Sequence, residues 1–89
     1  MFEFDPDKSA ANKAKHGIDF DEGQAIWDDP AAFMLASRHE REARWLAVGV
    51  VKSKFWAAVF THRAENIRII SVRRARDYEV EAYDSQKND

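Results

Sequence analysis

The chain has 89 residues, no cysteine, 45% hydrophobic and 34% charged residues, and a formal net charge of −2. That length supports one hydrophobic core and not two, three Trp and six Phe exclude general disorder, and the missing thiols exclude disulfides and thiolate metal sites, which suits a reducing cytoplasm. No apolar run approaches the roughly 18 residues of a membrane span, and Met1 to Asp5 lacks the basic and apolar regions of a signal peptide, so neither anchor nor leader is expected.

Phe2-Glu3-Phe4-Asp5 alternates apolar and acidic residues and predicts a short strand. Asp5 can cap a helix that begins at Pro6, where a missing N–H does no harm, and ends at His16, with Gly17 supplying the left-handed residue that closes it. Its buried stripe is expected from Ala10, Ala11 and Ala14, with Lys8, Asn12, Lys15 and His16 on a polar, mostly basic face. A second helix is expected from Asp19, in a capping box with Glu22, with Phe20, Ile26 and Trp27 as its apolar edge and Pro30 as its stop.

From there the period changes to two. Residues 31–37, 45–51, 55–61 and 67–72 are β-branched or aromatic runs separated by a charged connection (38–44) and two hairpin-length connections (52–54 and 62–66). A last helix over Ala75 to Asp84 precedes a polar tail, residues 85–89, expected to fray. The fold class is then α+β: a four-stranded antiparallel meander, two helices before it, one after, and a short N-terminal strand, in a single domain over residues 1–89. Both faces of the strands are apolar, with Trp45, Ala47 and Val51 opposite Leu46, Val48 and Val50, and Trp56, Ala58 and Phe60 opposite Phe55, Ala57 and Val59. Such a sheet must be covered twice. The N-terminal helices cover one side; the C-terminal helix, a partner, or both cover the other.

Charge is unevenly placed. Residues 1–37 carry three Lys against eight acids, residues 38–76 ten Lys or Arg against three Glu, and residues 77–89 one Lys against five acids. Eight of the ten central cations are arginines, whose planar fork matches phosphate geometry. Simple alternation puts Arg68 on the face of Ile70 and Val72, and Ser71 and Arg73 on the face of Ile67 and Ile69. An arginine in so apolar a strand needs water, a carboxylate or a phosphate; an ion pair with Glu42 or Glu79 is the structural alternative for Arg68. Arg73, Arg74 and Arg76 at a helix start oppose the helix dipole and suggest a phosphate-facing cluster. Glu79 and Tyr83 share a helix face beside Arg76, which can move protons or simply form a salt bridge with a packed phenol. His16, His39 and His62 show no metal-ligand spacing, so no metal or other cofactor is expected, and there is neither a Gly-rich phosphate loop nor a nucleophile elbow.

Asp5-Pro6, Asn12 with Lys15-His16-Gly17, Phe20 with Ala25, Asp29-Pro30, Glu42 and Arg44 before Gly49, Thr61 and Arg63, and Ile67-Arg68-Ile69-Ile70-Ser71-Val72-Arg73 with Ala75, Glu79 and Tyr83 resemble, in order and spacing, the BrnT family pattern from Phe4 to Tyr83. The resemblance implies a RelE-like fold and a metal-independent ribonuclease toxin that halts growth. It also implies a BrnA-type antitoxin with a ribbon-helix-helix domain, the pair repressing its own promoter. Val72 stands where many relatives have a small residue.

Cleaving RNA without metal requires a base for the 2′-hydroxyl proton, cations around the phosphorane and an acid for the leaving 5′-oxygen. Arg63, Arg68 and Arg73 are expected to serve the phosphate and transition state. Glu79, His62, Lys15 and Tyr83 are the proton-transfer candidates, and Arg44, Arg74, Arg76 and His16 are candidates for RNA contact. A non-catalytic module that uses the same arginines to hold RNA or an acidic partner is the competing reading.

Overall fold

The computed structural model describes residues 1–37 and 42–87, so most of the charged connection after residue 37, including His39, lies outside the described residues, as do residues 88 and 89. The first helix, α1 (Pro6–His16), has its expected bounds: Asp5 Oδ1 accepts from the N–H groups of Asp7 and Lys8, and Gly17 closes it at φ 81°. Its buried face differs from expectation. Ala10, Ala11 and Ala14 are exposed, while Ser9 and Asn12 are buried. The reason is what α1 packs against. Asn12 donates to the carbonyls of Ile18 and Val72 and accepts from the Val72 N–H, and Ser9 Oγ accepts from the Phe20 N–H, so the buried positions satisfy backbone groups that an alanine would leave unpaired.

The Asp19–Glu22 capping box forms, but only Phe20–Gly23 (α2) is α-helical. The chain tightens into a 3-10 segment over Gln24–Asp28, and Asp29 is extended (ψ 116°), as a residue before proline must be. A Cβ on Gly23 would lie 2.9 Å from Val72 Cγ2, so the missing side chain at 23 gives Val72 its room.

The sheet has five strands, not four: β1 (Phe2–Glu3), β2 (Phe33–Ser37), β3 (Arg44–Val51), β4 (Lys54–Arg63) and β5 (Asn66–Arg74), in the order β1-β5-β4-β3-β2. The meander β2 to β5 is antiparallel, whereas β1 pairs in parallel with β5 through Phe2↔Ile67 and Glu3↔Arg68. Two-residue turns join β3 to β4 and β4 to β5; positive φ at Lys52 and Ser53 makes the β3–β4 connection a primed hairpin turn. A register shift at Val59/Phe60 leaves Ile70 as an extra residue in β5. This bulge corrects the expected alternation: Ile67, Ile69 and Val72 all join the core beneath α1 and α2, so Arg68 and Arg73 share the opposite face.

The last helix, α3, runs over Asp77–Lys87, so it starts and ends later than expected, and residues 85–87 are helical rather than frayed. Ala75 is still on the sheet, donating to Phe55 O, and Arg76 takes the cap position, its N–H held by Glu79 Oε1. Arg73 and Arg74 therefore end a strand and do not start a helix. One core contains Phe20, Ile26, Trp56, Phe60, Ile69 and Val72, with Phe2, Trp27 and Phe60 in successive edge-to-face contacts. The other, beneath α3, contains Phe33, Leu46, Val48, Ala57 and Tyr83. Among the described residues no helix is long and apolar enough to cross a membrane.

Candidate functional site

The α3 face divides across its width. Near α3, Tyr83 packs on Phe55 and Phe33 and donates to Asp29 Oδ2 at 2.8 Å, an oxygen that also accepts from the Val50 N–H. Burial raises the Tyr83 phenol above its usual pKa, and the Asp29 hydrogen bond adds to it. Arg73 meets Glu79 through two bonds, Nη1–Oε1 at 2.8 Å and Nη2–Oε2 at 3.0 Å, and Glu79 is wholly buried. Burial alone would raise the Glu79 carboxyl, but the Arg73 guanidinium and the Arg76 N–H outweigh it and hold the carboxyl below its ordinary value. These residues fasten α3 to the sheet.

Towards the β4–β5 turn, the same face lies beyond this helix contact. The pairings Ser37↔Arg44, Thr61↔Arg68 and Arg68↔Glu3, with Arg44 one step on from Trp45↔Phe60, place Ser37, Arg44, Thr61, Arg68 and Glu3 in one row across the sheet. Arg63 and Asn66, paired with each other, form a shorter row beside the turn. On the α3 side of the long row lie Leu35, Leu46, Val59 and Ser71. Strands stand about 4.8 Å apart, so Arg44 and Arg68 are roughly 10 Å apart at their Cα atoms, a span that suits one phosphodiester link and its neighbour.

Within the row, Arg68 Nη1 donates to Glu3 Oε2 at 2.7 Å and Asn66 Nδ2 donates to Glu3 Oε1 at 3.1 Å. The Arg68 bond, followed by the Asn66 bond, holds the Glu3 carboxyl below its usual range, and the charge of Arg63 adds to this. Arg68 thus has its ion pair, with Glu3 and not with Glu42 or Glu79. Arg44 Nε contacts Glu42 at 3.2 Å, and the Thr61 hydroxyl donates to Ala43 O, tying the start of β3 to β4.

The sequence candidates therefore separate into groups. Arg44, Arg63 and Arg68 come together on the open half of the face. Arg73, Glu79 and Tyr83 lie on that face but at the α3 contact. His62 projects to the other face, edge-on to Trp45 and Phe60, and is exposed. Lys15 and His16 end α1, and Arg74 lies over the Trp56 ring on the α1–α2 face; Arg76 is exposed at the α3 cap. Glu3 and Asn66 belong to the arginine cluster, and Glu3 was not singled out from sequence; its signal was a lone acid between Phe2 and Phe4 in a strand whose partner was unknown.

A second basic region, at the β3–β4 turn, is a groove of about 290 Å³ lined by Lys13, Lys52, Lys54, Glu22 and Trp56. There Glu22 already meets Lys13 at 2.7 Å and Lys52 at 4.0 Å, which offsets much of its charge. Among the described residues no three His, Asp or Glu side chains gather to hold a metal ion.

A family model described as "Ribonuclease toxin, BrnT, of type II toxin-antitoxin system" matches residues 4–79. No curated protein matches the chain.

Proposed function

Because the chain belongs to the BrnT family of type II toxin–antitoxin ribonuclease toxins, we propose that it is a metal-independent endoribonuclease that halts growth by cleaving RNA on the open half of its α3-side face. The observation that carries this siting is the row of Arg44, Thr61 and Arg68 with Arg63 beside it. Arginines in that arrangement draw in the phosphate backbone and can neutralise the second negative charge that a phosphorane acquires. Leu35 and Val59 alongside, both partly exposed, offer apolar contact for a base. The RelE-like assignment is part of the same reading, supported by helices before and after an antiparallel meander.

Incubating the purified chain with a single-stranded oligoribonucleotide in EDTA tests this directly. Cleavage to a 2′,3′-cyclic phosphate and a 5′-hydroxyl is expected, and the 2′-O-methyl oligonucleotide should survive. Loss of cleavage in EDTA would end the metal-independent reading. Growth arrest without any new RNA 5′ ends in expressing cells would instead leave the arginines a docking surface.

The open half also suits the antitoxin. A BrnA-type partner, with a ribbon-helix-helix domain for operator DNA, is proposed to lay a helical segment over the partly exposed Leu35 and Val59 and so shield the arginines, over a standard interface of about 1,600 Å². The coexpressed pair should stay together in high salt, since most of its attraction is apolar. If high salt alone separates them, the interface is electrostatic and this picture of it is wrong.

A further inference from the structure

RNA cleavage needs a group that accepts the 2′-hydroxyl proton within reach of the phosphate-binding arginines. Of the proton-transfer candidates suggested by sequence, none is there. Glu79 is wholly buried beneath α3 and Tyr83 is 4% exposed, His62 is on the opposite face, and Lys15 ends α1 against that same opposite face. Glu3 is the carboxylate that the fold brings into the row itself, beside Arg68.

Building on the RNA-cleavage reading, we infer that Glu3 is the general base of this reaction. Its two oxygens each accept one hydrogen bond, from Arg68 and from Asn66, and a carboxylate oxygen has two acceptor sites, so each keeps one for a substrate hydroxyl. Its side chain is 27% exposed, enough to be reached and sufficiently enclosed to be held in one geometry. Arg68, with one terminal nitrogen on Glu3, has further donors for a phosphate oxygen, so one guanidinium fixes base and phosphate relative to each other. In the step, the 2′-O–H proton passes to Glu3, the 2′-oxygen bonds to phosphorus, and the P–O5′ bond breaks. The leaving 5′-oxygen takes a proton from solvent, and Glu3 later returns its proton to solvent. Nothing is oxidised or consumed. The charged and polar side chains facing Glu3 from the packed strands are Arg68 and Asn66 on β5 and Arg63 on β4.

The test is steady-state cleavage of the same oligoribonucleotide by the full chain and by Glu3→Gln, Glu3→Asp and Glu42→Gln, each checked for folding by thermal melting. Glu3→Gln keeps the shape and one acceptor but takes up no proton. It should lose about a hundredfold or more in kcat, with KM changed by no more than about threefold. Glu3→Asp should fall between Gln and the parent. The parent rate should rise with pH through an acidic limb below the usual carboxylate range, and the residual rate of Glu3→Gln should lack that limb. Parental kcat in folded Glu3→Gln, a rise in KM alone, or an equal loss in Glu42→Gln would each overturn the assignment while leaving the ribonuclease reading intact. No cleavage by the parent chain would overturn both.

Discussion

Arg68 and Arg73 leave the same strand on the same face, five residues apart, and each meets a carboxylate. Beneath α3, Glu79 is wholly buried and accepts three bonds, two from Arg73 and one from the Arg76 N–H, so the pair is enclosed and out of a ligand's reach. At the open end, Glu3 and Arg68 are 27% and 28% exposed in their side chains and share a single bond. Under the proposed mechanism, similar residue pairs have opposite uses. An ion pair on its own does not mark an arginine as structural; the acceptor and donor sites left over, and their access to solvent, decide it.

The largest effect that can break this contrast is on stability. Glu79→Ala strands the Arg73 guanidinium in a largely buried site and should cost about 3–5 kcal/mol, a large share of what a small domain has. Chemical denaturation of the two proteins measures it. A loss below about 1 kcal/mol would mean that Glu79 does not hold α3 down. Arg68→Ala, by contrast, removes a solvent-screened pair and should change stability far less than Glu79→Ala, yet slow RNA cleavage about a hundredfold or more. If Arg68→Ala is strongly unfolding but catalytically normal when folded, the two pairs have been given the wrong roles.

How far the sequence foretold this contrast depends on how local each cause is. The bounds of α1 follow from Asp5, Pro6 and Gly17, all within one turn of the ends they set, and the Asp19–Glu22 box is equally local. The two hairpins follow from short polar gaps between β runs. The pairing of β1 with β5 joins residues more than sixty positions apart through two registered positions, and no pattern in Phe2-Glu3 announces a parallel partner. Glu3 was missed for that reason. The bulge at Ile70 was equally silent: a period of two counted straight through it assigns Arg68 and Arg73 to opposite faces, whereas one extra residue brings them to the same one. Ser9 and Asn12 defied hydrophobic patterning because their burial answers a backbone need, not an apolar one.

A smaller effect separates packing from hydrogen bonding under α3. Tyr83→Phe keeps the ring between Phe33 and Phe55 and removes only the hydroxyl that donates to Asp29, which retains its bonds from Ala31 and Val50. The expected cost is about 1 kcal/mol, with RNA cleavage unchanged. A catalytic loss without a stability loss would return Tyr83 to the proton-transfer candidates and require α3 to move during turnover.

The finest discrimination comes from pH. Both Glu79 and Glu3 have carboxyls held below their ordinary value, so each stabilises the fold above the unfolded-state pKa of about 4.3 and loses that contribution as pH falls through its own lower value. Unfolding free energy should therefore stay level in respect of these two groups from pH 7 to about 5, and decline below that. Glu79→Gln has no proton to take up at the buried site and should show a shallower decline. Glu3→Gln removes only a solvent-screened pair, so its curve should run nearly parallel to that of the parent chain. The comparison rests on relative slopes and not on absolute stabilities, which makes it insensitive to how much each substitution destabilises at neutral pH. If Glu3→Gln flattens the acid decline as much as Glu79→Gln does, the open pair is as structural as the covered one, and the distinction between the two halves of the face collapses.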